Sequence, residues 1–207
     1  MRALFMKAIR AHGVRFARDT RGTAALEFAI VLPLICAIVF ITYDLVQMVR
    51  AGMQVSTAAT SIADMVAQQS GGLTGGSTGS IGDFCRAAQW TMLPLPTGTT
   101  SGAGAFAVSV ASVTNYSGTG PQVDWESDRS CKAAGQRLGA TAISLATGPI
   151  NLIPNAGKPG DSIIVVRVTY SYRSAIQYLL QGNQLLTKTA LARPRGNQPI
   201  ACAAPCS

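Results

Sequence analysis

The 207-residue sequence predicts an α+β protein: one long N-terminal helix, partly in a membrane, packed on a small antiparallel sheet. An apolar run at residues 28–41 follows a basic leader and predicts the membrane segment. Helical spacing of apolar residues continues beyond the run, and four segments after residue 104 have the composition of β-strands. The chain therefore combines an anchor with one outer domain.

The apolar run is too short to cross a membrane alone. Its 14 residues cover about 21 Å as a helix, against roughly 30 Å of hydrocarbon. A transmembrane helix over residues 23–43 is long enough, but it places Glu27 at the membrane entry. A charge in a span costs on the order of 2.5–3.5 kcal/mol near its centre, which favours a functional partner for Glu27. A carboxylate at headgroup depth, favoured by the helix dipole, is the other interpretation.

The leader, residues 1–22, predicts the orientation. It has a net charge of +5, and an excess of cations beside a span stays cytoplasmic, so the chain after residue 45 lies outside. The whole chain carries +8, which leaves only +3 for the rest, so nucleic acid is not an expected partner. A cleaved secretory signal is the competing interpretation. The long leader, the glutamate and the lack of an A-x-A site disfavour it.

The junction sequence resembles a known processing site. Gly22-Thr-Ala-Ala-Leu-Glu-Phe28 is similar to the processing site of type IV prepilins and pseudopilins. The sequence of residues 21–34 is more similar still to that of TadE-like minor pseudopilins of Tad/Flp pili. Residues 161–173 and 191–195 also look TadE-like. The resemblance implies cleavage between Gly22 and Thr23 by a prepilin peptidase and a structural role in pilus assembly. The implied partners are other pilins and pseudopilins, the assembly machinery and the lipid of the cytoplasmic membrane.

The spacing from Gly22 to Glu27 has a chemical rationale. Glycine lets the backbone lie close to a protease at the membrane surface. Cleavage frees an amine at Thr23, which can pair with Glu27 of a neighbouring subunit, where low dielectric makes an unpaired charge costly. Glu27 and the adjacent Phe28 are therefore the predicted register contact, much as a buried polar residue fixes coiled-coil register.

An amphipathic continuation of the helix is predicted over residues 44–69. Its apolar stripe recurs at spacings of three and four. The stripe comprises Leu45, Met48, Gly52, Val55, Ala59, Ile62 and Val66.

Pro33 predicts a kink inside the membrane. Residues 70–82, rich in Gly, Ser and Thr, predict a flexible linker.

Residues 83–207 predict a single outer α+β domain. A short helix is expected over 83–92, a strand with one buried face over 105–115, and its hairpin partner over 122–126. Residues 127–146 are weakly helical at best, and 148–160 form a proline-containing loop. The clearest strand is 162–172, with 184–193 as its partner. A four-stranded antiparallel sheet against the long helix is the expected assembly.

The five cysteines fall on both sides of the membrane boundary. Cys36 lies in the span as a small apolar residue. Cys85, Cys131, Cys202 and Cys206 lie on the predicted oxidising side, where three pairings are possible. The preferred pairing is Cys85–Cys131 with Cys202–Cys206, because the last two are close in sequence and tether a loose tail. Metal binding is disfavoured without a second C-x-x-C or a nearby histidine, and no metal or cofactor is expected.

Catalysis is not indicated by the sequence. His12 is the only histidine, and processing removes it with the leader, so the mature chain has no imidazole for a triad or a zinc motif. Asp124, Glu126 and Asp128 surround Trp125, but residues two apart on a strand share a face. A solvated strand end is therefore favoured over a glycosidase pair or a calcium site.

The alternative function is an unprocessed single-span envelope protein whose outer domain binds a ligand or surface.

Overall fold

The computed structural model describes residues 21–149, 153, 162–177, 179–196, 199–203 and 206. In chain order its elements are α1 (Arg21–Ala67), β1 (Leu73–Thr74), α2 (Ser80–Thr91), β2 (Phe106–Tyr116), β3 (Gly120–Ser127), α3 (Ala140–Thr147), β4 (Ser162–Arg173), β5 (Asn183–Ala192) and β6 (Cys202–Ala203). A long apolar helix with a small antiparallel sheet confirms the predicted α+β class.

The long helix α1 has 47 residues and contains Pro33. Contacts divide the chain into two units, Met1–Tyr43 and Asp44–Ser207, each described by itself. In the first unit, the side chains from residue 25 to 36 are all exposed. Among the described residues, α1 is the one helix long and apolar enough to cross a bilayer. Lipid is the solvent that such an all-round apolar surface requires.

In the second unit, one face of α1 forms part of the main hydrophobic core. Its fully buried members begin at Ala51 and continue through Val55, Ile62 and Val66. The predicted stripe is correct at Val55, Ala59, Ile62 and Val66, but Leu45 is exposed and Gly52 is only half-buried. The buried face instead begins at Asp44 and runs through Met48 and Ala51. Only the first part of the face is displaced by one position, with Asp44 in place of Leu45 and Ala51 in place of Gly52.

The sheet has four strands with every neighbour antiparallel, as predicted, and its order is β3-β2-β4-β5. One face of its central strands presents large apolar side chains to the core that includes α1, notably Phe106, Val108, Val166 and Tyr170. The helix α2 adds Ile81 and Met92 to the same core. The sheet and the two helices therefore share one hydrophobic layer.

The opposite face of the sheet is also buried, which corrects the prediction of a one-sided strand at residues 105–115. Ala111 and Val113 of β2 and Val165 of β4 pack with Leu138 and Ala142 in a second core. The helix covering this face is α3, within a segment predicted to be weakly helical at best. In the sequence, the Ala and Ser residues that alternate with the valines of β2 have the pattern of a solvent-exposed face. In the structure this face is covered by the second core.

The segment 70–82, predicted to be a flexible linker, contains structure. Strand β1 pairs in parallel with β6 near the C-terminus, and α2 begins at Ser80. A Cβ atom at Gly79 or Gly82 would collide with the backbone of residues 74–77. These two glycines therefore permit close packing of the chain on itself, a use of glycine that composition does not distinguish from flexibility.

Two predictions fall outside the described residues. The leader up to residue 20, with His12, is one of them. Most of the predicted 148–160 loop is the other, since only residues 148, 149 and 153 of it are described.

A pH dependence of stability follows from the buried phenol of Tyr170. Its hydroxyl donates to the carbonyl oxygen of Pro96 at 3.0 Å, and burial, with a contribution from Tyr172, raises its pKa from 10.0 to about 12. The folded chain thus keeps a proton that the unfolded chain releases above pH 10, so stability falls as pH rises from 10 towards 12. We expect the thermal midpoint of the full chain in detergent, measured by near-ultraviolet circular dichroism, to fall across this window.

Tyr170→Phe is expected to be less stable than the parent at pH 8 but to lose less stability between pH 10 and 12, since it has no phenol to ionise. Tyr116→Phe is the comparison at an exposed site, where a hydrogen bond to Asp124 raises the pKa of the phenol. Equal losses in the parent and in Tyr170→Phe would exclude Tyr170 as the source.

Candidate functional site

The residues of the predicted processing site lie at the start of α1. Gly22, Thr23, Glu27 and Phe28 are all exposed, and Phe28 has 62% of its surface accessible. A Cβ atom built at Gly22 meets no other atom within 4 Å, so the fold itself does not require glycine there. The Gly22–Thr23 bond and the Glu27 carboxylate are therefore both presented on the outside of this helix.

Two further predicted residues lie within the apolar part of α1. Pro33 is inside the helix, where its ring removes one backbone hydrogen bond. Cys36 is a free thiol on the exposed surface of the helix. Both lie in the stretch whose exposed side chains are apolar.

A carboxylate that the sequence analysis did not single out lies at the start of the second unit. Asp44 has no exposed surface. The Ser174 hydroxyl donates to its Oδ1 atom, and the Leu179 backbone N–H donates to its Oδ2 atom at 3.2 Å. Both donors belong to the segment that connects β4 to β5. Asp44 thus fixes this connection to the first residue after the predicted span.

Burial explains why Asp44 requires these donors. Moving a carboxylate out of water is costly unless hydrogen bonds replace those that water made. The sequence offers one signal for this role, a charged residue immediately after an apolar helix at a position in phase with Met48, Ala51 and Val55. Its partners are 130 and 135 residues away in the chain, so no local pattern identifies them.

The predicted acidic cluster of Asp124, Glu126 and Asp128 does not act as one group. A register shift between Ser112 and Val113 leaves Asp124 without a residue opposite it on β2, as in a β-bulge. Asp124 accepts hydrogen bonds from the hydroxyls of Thr114, Ser112 and Tyr116, the last at 2.6 Å. These four side chains join the two strands near the turn of the β2–β3 hairpin.

Glu126 belongs to a different network, which corrects the interpretation as a solvated strand end. Only 11% of its side chain is exposed. Its Oε2 atom accepts the backbone N–H groups of Leu138 and Gly139, each at 3.0 Å, and its Oε1 atom lies 2.5 Å from Nε of Arg137. Glu126 therefore holds the chain that leads into α3. The role is structural, and the bulge separates it from Asp124.

The structure contains two disulfides, Cys85–Cys131 and Cys202–Cys206. They correspond to the pairing preferred from the sequence. Cys85 and Cys131 are both buried in the main core and tie α2 to the segment after β3. With a separation of 46 residues, loop closure of the unfolded chain predicts a contribution of about 4 kcal/mol. Cys202–Cys206 closes the tail that follows β6.

Among the described residues, no three His, Cys, Asp or Glu side chains come together as a candidate metal site. The features that stand out are instead the exposed motif at the start of α1 and the buried carboxylate that fixes the β4–β5 connection. Together they define a class: a protein whose described residues contain one candidate membrane-spanning helix, followed by a disulfide-bonded α+β domain.

Comparison with known families makes this class more specific. Residues 22–64 match the family model of TadE-like protein, which confirms the resemblance derived from the junction sequence. The chain is TadE-like over this segment, which covers nearly all of α1 and includes Gly22, Glu27 and Asp44. Comparisons with curated proteins and with solved structures give no match.

The contacts of Asp44 predict a stability effect. In Asp44→Asn an amide N–H₂ group replaces one of the two acceptor oxygens, so one donor in the β4–β5 connection loses its partner. We expect a loss of about 1–3 kcal/mol. For a chain of this size that lowers the thermal midpoint by roughly 2–12 °C, measured on the full chain in detergent.

The matched control is Asp64→Asn, since Asp64 is an exposed aspartate on the same helix. Asp64→Asn makes the same chemical change at an exposed position, so no amide is buried. Its thermal midpoint is expected to lie within about 1 °C of that of the parent chain. If the two variants unfold at the same temperature, the buried hydrogen bonds of Asp44 do not stabilise the outer domain.

Proposed function

We propose that this chain is a minor pilin or pseudopilin of a Tad/Flp pilus, cleaved after Gly22 by a prepilin peptidase and structural rather than catalytic in pilus assembly. The observation that carries the proposal is the TadE-like match over residues 22–64, within which a Gly22–Thr23 bond and Glu27 precede an exposed apolar stretch of helix. In this proposal the N-terminal leader is cytoplasmic and the outer domain extracytoplasmic, with the helix in the cytoplasmic membrane.

The proposed assembly contact depends on the accessibility of both charges. Cleavage creates an amine at Thr23, four residues from Glu27 on the same helix. Both residues are exposed along the helix, so a neighbouring subunit displaced along its axis can bring its amine to Glu27. In low dielectric, each charge offsets the desolvation of the other, whereas an unpaired one is strongly destabilising. The pair would therefore select one register between neighbouring subunits.

Determination of the N-terminus tests the processing step. We expect the chain extracted from membranes of a host with the peptidase to begin at Thr23, by intact mass and N-terminal sequencing. Gly22→Arg, or deletion of the peptidase, is expected to leave the start at Met1. Since a Cβ atom built at residue 22 has no atom of the described residues within 4 Å beyond its own stretch of helix, a processing defect in this variant is expected to reflect recognition by the protease.

Gly71→Arg is the matched control for the processing test. Gly71 also has no atom within 4 Å of a built Cβ, and it lies in the second unit. This variant is expected to be cleaved like the parent. A parent chain that begins at Met1 would reject processing and favour the unprocessed envelope protein.

A variant at Glu27 tests the register contact separately. Glu27→Ala removes the carboxylate and leaves a neighbouring amine unpaired, a change expected to cost roughly 3–5 kcal/mol at each contact. We expect the variant to insert and to be cleaved but to form no pili, measured by membrane fractionation and electron microscopy. Asp64→Ala is the control, because it removes an exposed carboxylate from the outer part of the same helix. Normal piliation of Glu27→Ala would refute the register role.

A further inference from the structure

The connection between β4 and β5 presents apolar side chains on its outside. Ile176 and Leu179 are 40% and 47% exposed. The connection is nevertheless fixed at three points: Ser174 and the Leu179 backbone bind Asp44, and Leu180 packs against the main core. Ile176 and Leu179 therefore present apolar surface beside residues that are anchored to the rest of the domain.

The position of this connection follows from its contact with Asp44. The apolar run ends at Ile41, and Asp44 is three residues later, or about 4.5 Å along a helix. The polar headgroup region extends roughly 5–8 Å beyond the hydrocarbon on each side. A segment hydrogen-bonded to Asp44 is thus held at the level where headgroups begin.

The adjoining surface of α1 has the same character. Leu45, Val46 and Val49 are exposed apolar residues, and Val49 is about 7.5 Å along the helix from Asp44. Arg50 and Arg173 are exposed cations beside these two apolar segments, while Asp44 is buried. The accessible charge here is positive, which suits anionic lipid headgroups.

We propose that the β4–β5 connection is a membrane-contacting loop, in which Ile176 and Leu179 enter the interface of the bilayer that holds α1. The proposal is supported by the exposed apolar surface of the second unit around Asp44, a buried carboxylate three residues after the apolar run that binds the loop. This inference rests on the proposed membrane location of α1. It adds a second contact with lipid.

Site-directed fluorescence in vesicles tests the loop. The full chain with Cys36→Ser and Ile176→Cys, its disulfides intact, is labelled with an environment-sensitive fluorophore and reconstituted into phosphatidylethanolamine and phosphatidylglycerol vesicles. We expect quenching by a lipid-attached nitroxide and several-fold weaker quenching by external iodide than at the control site. Leu179→Cys is the second labelling site, in case the first variant folds poorly.

The control is Leu93→Cys, at an apolar residue that is 65% exposed. The carbonyl oxygen of Leu93 accepts a hydrogen bond from the Gln54 side chain at 3.0 Å, so it lies beside a residue about 15 Å along α1 from Asp44, beyond the headgroups. Its label is expected to be quenched by iodide and not by the lipid nitroxide. In Asp44→Asn, the label at residue 176 is expected to lose part of its lipid quenching.

Three results would overturn the proposal. Equal iodide quenching at residues 176 and 93 would place the loop in water. Weak quenching by both reagents at residue 176 would show that protein, not lipid, covers it. Unchanged lipid quenching in Asp44→Asn would refute the anchoring by Asp44. Resistance of the unlabelled chain to alkaline carbonate extraction is measured separately, so failure of α1 to insert is distinguished from failure of the loop to contact lipid.

Discussion

Burial of one face of α1 against the sheet is the constraint on which the outer domain depends. The helix contributes mainly small side chains to this contact, with Ala51, Ala58, Ala59 and Ala63 all buried. The bulk comes from the other side, from Phe106 and Tyr170 of the sheet and from Ile81 and Met92 of α2. Small residues on the helix and large residues opposite are complementary in volume, so together they fill the layer between the helix and the sheet. A larger side chain at one of the alanines would overpack the layer.

This packing also explains the different character of the four strands. The central strands β2 and β4 are covered by α1 on one face, and α3 covers part of the other, so β2 is buried at nearly every position. The edge strands are more accessible, β3 mostly half-buried and β5 half exposed, and they carry polar residues such as Lys188, Thr187 and Thr189 on β5. Charged and polar side chains on an edge strand discourage pairing with other chains. The sheet thus has an apolar centre and polar margins.

The parts of the fold that the sequence predicts are those with local patterns. The hairpin of β2 and β3, the strands β4 and β5 and the long helix each have their own periodicity, and the structure places them close to the predicted bounds. The parts that it does not predict depend on distant contacts. The sequence pattern indicates a solvated Glu126, but in the structure Arg137 and the start of α3 pack against it. Composition indicates a flexible Gly79, but in the structure the backbone around residue 74 lies beside it. The same holds for the candidate site. The motif from Gly22 to Phe28 can be identified from the sequence alone. The role of Asp44 cannot, because its hydrogen-bond donors are 130 and 135 residues away in the chain.

The two carboxylates near the ends of the apolar run have opposite surroundings, and this difference separates their roles. Glu27 is exposed on the helix, while Asp44 is buried and accepts hydrogen bonds from its own chain. They are 17 residues apart in the sequence, and the apolar run lies between them. Because Asp44 already accepts two hydrogen bonds from its own chain, the proposed pairing with an amine of another subunit is assigned to Glu27.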